Sequence, residues 1–185
     1  MENGAGNYWS FLNGDDNAFV EIIREYKDGL LFYLNGFVNN LQIAEDLTED
    51  TFVKLITKRP KYRGKSSFKT WLYAIGRNIA LDYLKRSAGS NTISLETCND
   101  LLAEEESFIQ AYIQEEQKRM LHKALRKLKP DYYQVLWLIY FEEFSNKEAA
   151  KLMHKTVHGI ETLVYRARLA LKRELEEEGL TYEDL

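Results

Sequence analysis

Four carboxylates, Glu45, Asp46, Glu49 and Asp50, recur at i, i+1, i+4 and i+5, so on a helix they share one face. Such a face either grips a basic partner or is simply solvated. A metal site is disfavoured, because neither a histidine nor a capping glycine accompanies the carboxylates. Residues 54–86 carry the opposite charge: ten bases (Lys54, Lys58, Arg59, Lys61, Arg63, Lys65, Lys69, Arg77, Lys85, Arg86) against one acid, Asp82. A block of that sign steers polyanions to one surface. A third cluster lies near the C-terminus, where Lys147, Lys151, Lys155, His158, Arg166, Arg168, Lys172 and Arg173 are interleaved with Glu161 and Tyr165. His154 and His158 have a zinc-like spacing, but the chain has one cysteine, Cys98, and no Cys pair to complete a site. There is no Gly-rich phosphate loop, no nucleophile–base set and no metal-ligand cluster. The chemistry expected is binding, with neither catalysis nor a cofactor.

The elements that must position these groups read as helices. Pro occurs only at 60 and 130, so long helices are permitted. Asp15 or Asp16 can cap a first helix carrying Ala18, Phe19, Ile22, Ile23 and Tyr26. A second is expected from near Gly29, with Leu30, Leu31, Leu34 and Val38. A third spans about 43–57, with Leu47, Val53, Leu55 and Ile56 along it, and is ended by Pro60. It presents the four carboxylates. The loop 61–65 is basic and made flexible by Gly64. Ser66 or Ser67 then caps a fourth helix to about Arg86, with Phe68, Trp71, Leu72, Ile75 and Ile79 on one side. Trp71 among these is expected in the core, and Tyr62 in the loop is the better candidate for stacking on a base.

Residues 87–106 lose the pattern, and their Ser, Gly, Asn and consecutive glutamates predict an exposed linker in which Ile93-Ser94-Leu95 could dock. A helix over about 108–128 follows. The next, about 131–142, holds Val135, Leu136, Trp137, Ile139, Tyr140 and Phe141 and is expected to be buried on several sides, with Pro130 near its start. Ser145 and Glu148 have capping-box spacing. A break at His154-Lys155 precedes a last helix from near Thr156 to about Glu176. Short helix, tight turn and longer helix form a helix-turn-helix, whose second helix enters a DNA major groove.

Three ordered segments resemble the sigma factors of bacterial RNA polymerase. Ala44-Glu45-Asp46-Leu47-Thr48-Glu49-Asp50-Thr51-Phe52 is similar to region 2.2, the stretch Tyr62 to Arg86 to regions 2.3 and 2.4, and 145–173, ending Tyr165-Arg166-Ala167-Arg168-Leu169-Ala170-Leu171-Lys172-Arg173, to region 4.2. The resemblance spans about 15–176 and is to the extracytoplasmic-function (ECF) group, which has just these two domains and a linker. It implies an all-α fold. A region 2 helical bundle occupies 12–87, a flexible linker 88–107, a region 4 helix-turn-helix domain 108–176 and an acidic tail 177–185.

The resemblance also implies partners. Glu45, Asp46, Glu49 and Asp50 would bind the basic clamp helices of core RNA polymerase, although the family usually has Asp where this chain has Ile43. Lys61, Tyr62, Arg63, Lys65 and Ser66 in the loop, with Lys69, Arg77, Asn78, Lys85 and Arg86 on the helix, would bind the minus-ten element of promoter DNA and help to open it. Bases neutralise phosphates there, aromatic and polar groups take unstacked bases, and Asn78 could read a base edge. Lys147, Lys155, Thr156, His158, Glu161, Thr162, Tyr165, Arg166 and Arg168 would bind the minus-thirty-five element. The family commonly has Lys and Arg in the first turns of that helix, where this chain has Glu161 and Leu163. Arg166 and Arg168 could instead snorkel or pair with acids. An anti-sigma factor is a further implied partner.

The competing expectation is a stand-alone helix-turn-helix regulator, which leaves the acidic helix and the basic stretch unexplained. Net charge is −4 at pH 7, with 45% hydrophobic and 29% charged residues. These values suit a folded chain with neither a membrane-spanning segment nor a secretory signal, and a cytoplasmic setting is expected.

Overall fold

The computed structural model describes residues 3–89 and 110–177. The expected linker, including Ile93-Ser94-Leu95 and Cys98, and the acidic tail lie largely outside them. Among the described residues every regular element is helical. The chain opens on a helix not anticipated from its sequence, α1 (Asn3–Leu12). Tyr8 and Phe11 are its buried aromatic residues. The Tyr8 ring packs 5.6 Å from Phe68 and 5.2 Å from Trp71, and its hydroxyl donates to the Pro60 carbonyl at 2.8 Å.

Helix α2 (Asp16–Val38) is capped by Asp15, which accepts from the backbone N–H groups of Asn17 and Ala18. The two helices expected on either side of Gly29 are one. Glycine costs about 1 kcal/mol in a helix interior, a cost that packing offsets where a second element must come close. A Cβ at Gly29 would fall on the Glu142 carboxylate and the Tyr73 hydroxyl, and one at Gly36 on the Tyr133 ring. Both glycines are therefore contact points rather than breaks.

Asn40 caps α3 (Leu41–Lys58), accepting from Ile43 N–H at 3.1 Å. The helix stops at Arg59, which adopts a left-handed conformation at φ 42°. Pro60 disfavours helical backbone at the residue before it. Helix α4 (Phe68–Gly89) begins where the Ser67 hydroxyl accepts from Thr70 N–H at 3.1 Å. Helices α1 to α4 form the first bundle, around Ile22, Leu30, Leu34, Leu55, Phe68 and Leu72, all fully buried.

The second unit comprises α5 (Gln110–Lys127), α6 (Pro130–Leu136), α7 (Asn146–Met153) and α8 (Val157–Glu177). Between α6 and α7 the helix expected to continue to 142 changes to a π-helical segment, Trp137–Phe141, closed by Glu142 N–H donating to the Trp137 carbonyl at 3.0 Å. The widened turn brings Phe141 onto Trp137, rings parallel and 4.3 Å apart. Contrary to the expected burial, it leaves Tyr140 and Phe141 exposed. Leu125, Val135, Leu138, Leu152 and Ile160 are buried here.

The two units pack on one another and share one contiguous apolar core. Helix α6 lies along α2. The Tyr133 hydroxyl donates to the Phe32 carbonyl at 3.1 Å, Trp137 Nε1–H donates to the Gly29 carbonyl at 3.2 Å, and the Phe32 and Trp137 rings are 5.2 Å apart. Helix α4 meets α7 and the segment before it, with Tyr73 5.3 Å from Phe144.

Candidate nucleic-acid and protein-docking surfaces

Helix α3 buries Ala44, Leu47, Thr48, Thr51, Phe52 and Leu55, a 3.6-residue stripe. The two buried threonines satisfy their hydroxyls on the preceding turn, at Ala44 O (2.7 Å) and Leu47 O (2.8 Å). The opposite face carries the four carboxylates, with Asp46, Glu49 and Asp50 exposed and Glu45 half-buried. None forms an ion pair with a described residue. Of the apolar residues read along this helix, Val53 and Ile56 point outward with Leu41, at 52%, 45% and 43% exposure. Phe52 and Leu55 hold the inward positions of this stretch. The face is thus acidic with apolar flanks, which suits a partner helix carrying both basic and apolar groups.

The expected minus-ten set divides. Lys61, Arg63 and Lys65 are exposed around Gly64, whose φ of 65° turns the loop. Asn78, Lys85 and Arg86 are exposed on α4. Trp71, Asn78 and Lys85 fall at seven-residue intervals on one side of that helix. Tyr62 is not a free stacking platform. Its ring packs against Phe68 and Trp71 (5.7 and 5.2 Å) and its hydroxyl donates to the Ser66 carbonyl at 2.6 Å, so it anchors the basic loop. Ser66 is half-buried behind it. Trp71 packs with Tyr8, Tyr62 and Phe68, as its apolar neighbours predicted. Arg77 is half-buried, with Nε in the interior and its guanidinium beside the Tyr33 hydroxyl. Burial raises the pKa of that hydroxyl, and Arg77 opposes the shift.

Lys69 is also drawn inward. Its ammonium donates to both the carboxylate and the backbone carbonyl of Glu142, each at 2.8 Å, and lies 5.3 Å from the Phe144 ring centroid. The Tyr73 hydroxyl donates to the same carboxylate at 2.6 Å. Burial, and then the Glu142 charge, raise the Tyr73 pKa, so this hydroxyl keeps its proton and remains the donor. Sequence spacing held no signal for this cluster, because its members are about seventy residues apart.

In the helix-turn-helix, the Ser145 hydroxyl accepts from Glu148 N–H at 3.3 Å and the Glu148 carboxylate accepts from Ser145 N–H at 3.0 Å, the expected capping box. Burial pushes the Glu148 carboxyl up, but hydrogen bonds from Ser145, Ser67 and Thr70 outweigh it and hold it below its ordinary range. His154 makes the turn at φ 54°, and the Thr156 hydroxyl caps α8 by accepting from Gly159 N–H at 3.0 Å. The outer side of α8 exposes Val157, His158, Glu161, Tyr165, Arg166, Arg168 and Leu169, with Thr162 half-buried. Tyr165, at 66%, is the most exposed large apolar side chain among the described residues. His158 Nδ1 is 3.6 Å from Glu161, Lys155 pairs with Asp131 at 3.1 Å, and Lys147 is exposed on α7. Among the described residues no three His, Cys, Asp or Glu could hold a metal ion, and no helix is long and apolar enough to cross a membrane.

An acidic helix, a basic loop and helix, and a helix-turn-helix in that order define a transcription factor of the sigma type. Residues 22–89 match the family described as Sigma-70 region 2, and residues 118–171 match Sigma-70, region 4. The RNA polymerase sigma factor YlaC of Bacillus subtilis is 30% identical over 160 residues, covering 86% of this chain and 92% of that protein. The ECF RNA polymerase sigma factor SigW of the same organism is 25% identical over 170 residues, covering 88% of this chain and 91% of SigW. The fold is shared with the sigma factor RpoE of Bartonella quintana, solved with the anti-sigma factor NepR (TM-score 0.68, 24% identity, 85% of this chain and 96% of that one). It is shared too with CnrH, solved with the cytosolic domain of CnrY (TM-score 0.62, 21% identity, 95% and 96%). The chain belongs to the RNA polymerase sigma factor family. It is a sigma factor of the ECF type, and its region 2 match leaves the stand-alone regulator without support.

Proposed function

We propose that α3 docks this sigma factor on core RNA polymerase through Asp46, Glu49 and Asp50, with Glu45 at the margin and Val53 and Ile56 beside them. The basic loop, with Lys61, Arg63 and Lys65, and the outer side of α4, with Asn78, Lys85 and Arg86, engage the minus-ten element. Tyr62 and Ser66 hold that loop in place, and Lys69 and Arg77 join it only after rearrangement. The α8 face from Thr156 to Arg168, with Lys147 and Lys155, engages the minus-thirty-five element. The domain division is 12–87, 88–107, 108–176 and 177–185, with α1 added to the first unit. The setting is cytoplasmic, the protein is not itself an enzyme, and an anti-sigma factor is a further partner.

The observation that carries this reading is the α3 face: carboxylates at the surface, opposed to a buried stripe and unpaired with any described residue. The test is co-elution of the purified chain with bacterial core RNA polymerase on a sizing column, beside a Glu45/Asp46/Glu49/Asp50→Ala variant. Co-elution of the parent alone supports the assignment. Failure of the parent at low salt, or equal co-elution of both, rejects it.

A further inference from the structure

We propose that Tyr8 is a positioning residue for minus-ten recognition: through its hydroxyl, α1 fixes the entry of the basic loop and so sets how the loop reads bases. Helix α1 lies outside residues 22–89, the segment that matches region 2. The inference rests on the reading that this loop faces the minus-ten strand.

Helix α1 holds the chain at two consecutive residues where it leaves α3. The Arg59 guanidinium lies 5.2 Å from the Phe11 ring centroid, and the Pro60 carbonyl accepts from the Tyr8 hydroxyl at 2.8 Å. Those two partners are fifty-two positions apart in the chain. Lys61, the first base of the loop, follows at once. Arg59 is left-handed at φ 42°, a conformation that a side chain other than glycine keeps only when its surroundings hold it. Burial pushes the pKa of the Tyr8 hydroxyl up to about 12 against the opposing pull of Arg59, so the hydroxyl keeps its proton and remains the donor.

The exit of the loop is fixed on the same ground. Tyr8 and Tyr62 pack on one pair of rings in the first turn of α4: Tyr8 at 5.6 and 5.2 Å from Phe68 and Trp71, Tyr62 at 5.7 and 5.2 Å. The Tyr62 hydroxyl donates to the Ser66 carbonyl at 2.6 Å. Entry and exit are thus tied together, and the residues between them carry Lys61, Arg63 and Lys65 outward around Gly64. The close approach of α1 is built into its sequence, because a Cβ at Gly4 would strike the Phe68 ring and the Tyr26 hydroxyl. What the tie controls follows from the two kinds of contact the loop makes. A long lysine or arginine follows a phosphate when its backbone shifts, whereas reading a base requires placement within about 0.5 Å. Loosening the entry therefore erodes base discrimination and leaves charge-driven affinity in place.

Tyr8→Phe tests this, since it keeps the ring and hands the Pro60 carbonyl to water. Leu34→Val, a loss of packing elsewhere in the same bundle, controls for stability alone. Each chain is assembled with core RNA polymerase. The probe is a fluorescent single-stranded oligonucleotide carrying the sequence that the parental complex selects from a random pool. It is compared with single-base exchanges and with a scrambled version. The expected result is that Tyr8→Phe lowers the ratio of matched to exchanged affinity about three- to tenfold, the worth of one hydrogen bond. Affinity for the scrambled probe, and its salt slope, stay within about twofold, because the loop bases are intact. Leu34→Val keeps the parental ratio. A Tyr8→Phe complex that discriminates like the parent overturns the proposal, as does an equal loss on every probe or the same loss in Leu34→Val. A parental complex that prefers no base at all fails differently: it overturns the minus-ten reading of the loop, and this proposal with it.

Discussion

Replacing Glu45, Asp46, Glu49 and Asp50 with alanine is expected to separate binding from folding. In the free chain these carboxylates contribute nothing favourable. None pairs with a described residue, and Glu45/Glu49 and Asp46/Asp50 are like-charge i, i+4 pairs on α3. Each such pair destabilises a helix by about 0.2–0.5 kcal/mol, and alanine has the best helix propensity, so the midpoint of thermal unfolding should hold or rise. Binding should fall. An exposed ion pair is worth about 0.2–1 kcal/mol, so four pairs with a basic partner sum to about 0.8–4 kcal/mol. At about 1.4 kcal/mol per tenfold, that is roughly 4- to 700-fold weaker affinity for core polymerase. Fluorescence anisotropy with labelled chain and core polymerase at about 0.1 M salt measures it. Repeating the titration at about 0.5 M salt should shrink the ratio, because screening removes most of what surface charges contribute. A variant that unfolds at the parental temperature yet binds within threefold of the parent would refute the assignment of this face.

Three further outcomes are expected. Glu161 stands on the outer side of α8 near Val157 and Tyr165, with His158 3.6 Å away. Glu161→Gln removes a charge that phosphates repel, and should raise affinity of the polymerase–sigma complex for minus-thirty-five duplex several-fold in gel-shift titrations. The His122 pKa is lowered by burial and, next, by Arg126, and its ring lies 6.1 Å from Phe32. With the folded pKa below the unfolded value of about 6.5, the unfolded chain takes the proton first, so stability is full above that pH and falls as pH drops through it. Unfolding midpoints should therefore decline between pH 7.5 and 5.5, and His122→Gln should flatten the decline. Ser145→Ala deletes the hydroxyl half of the capping box and should cost about 1 kcal/mol in urea unfolding, with the α3 assay unchanged.

The local devices were legible because they depend on neighbours in the chain. Asp15 as a cap, the Ser145/Glu148 box, the turn before α8 and the Trp71 apolar side all follow from offsets of a few residues. Misreadings arose where a residue's partner is distant. Gly29 looked like a break until the second domain was seen to press on it. Val53 and Ile56 were read along α3 without a face, and packing put Phe52 and Leu55 inward instead. Tyr62 looked free because Phe68 and Trp71, which hold it, sit on the following helix. Helix α1 passed unassigned, although Tyr8 and Phe11 at i, i+3 were a usable signal.

By itself the sequence determined the helical class, the order of acidic, basic and helix-turn-helix segments, and through them the sigma family. Periodicity, capping and charge blocks are properties of residues a few positions apart, and they survive without tertiary information. Only the tertiary structure decided which charged groups remain at the surface. Lys69 and Glu142 are unremarkable in the chain, seventy-three positions apart. They become a semi-buried pair because two glycines let α6 and its aromatic row settle onto α2, where desolvation makes each charge depend on the other.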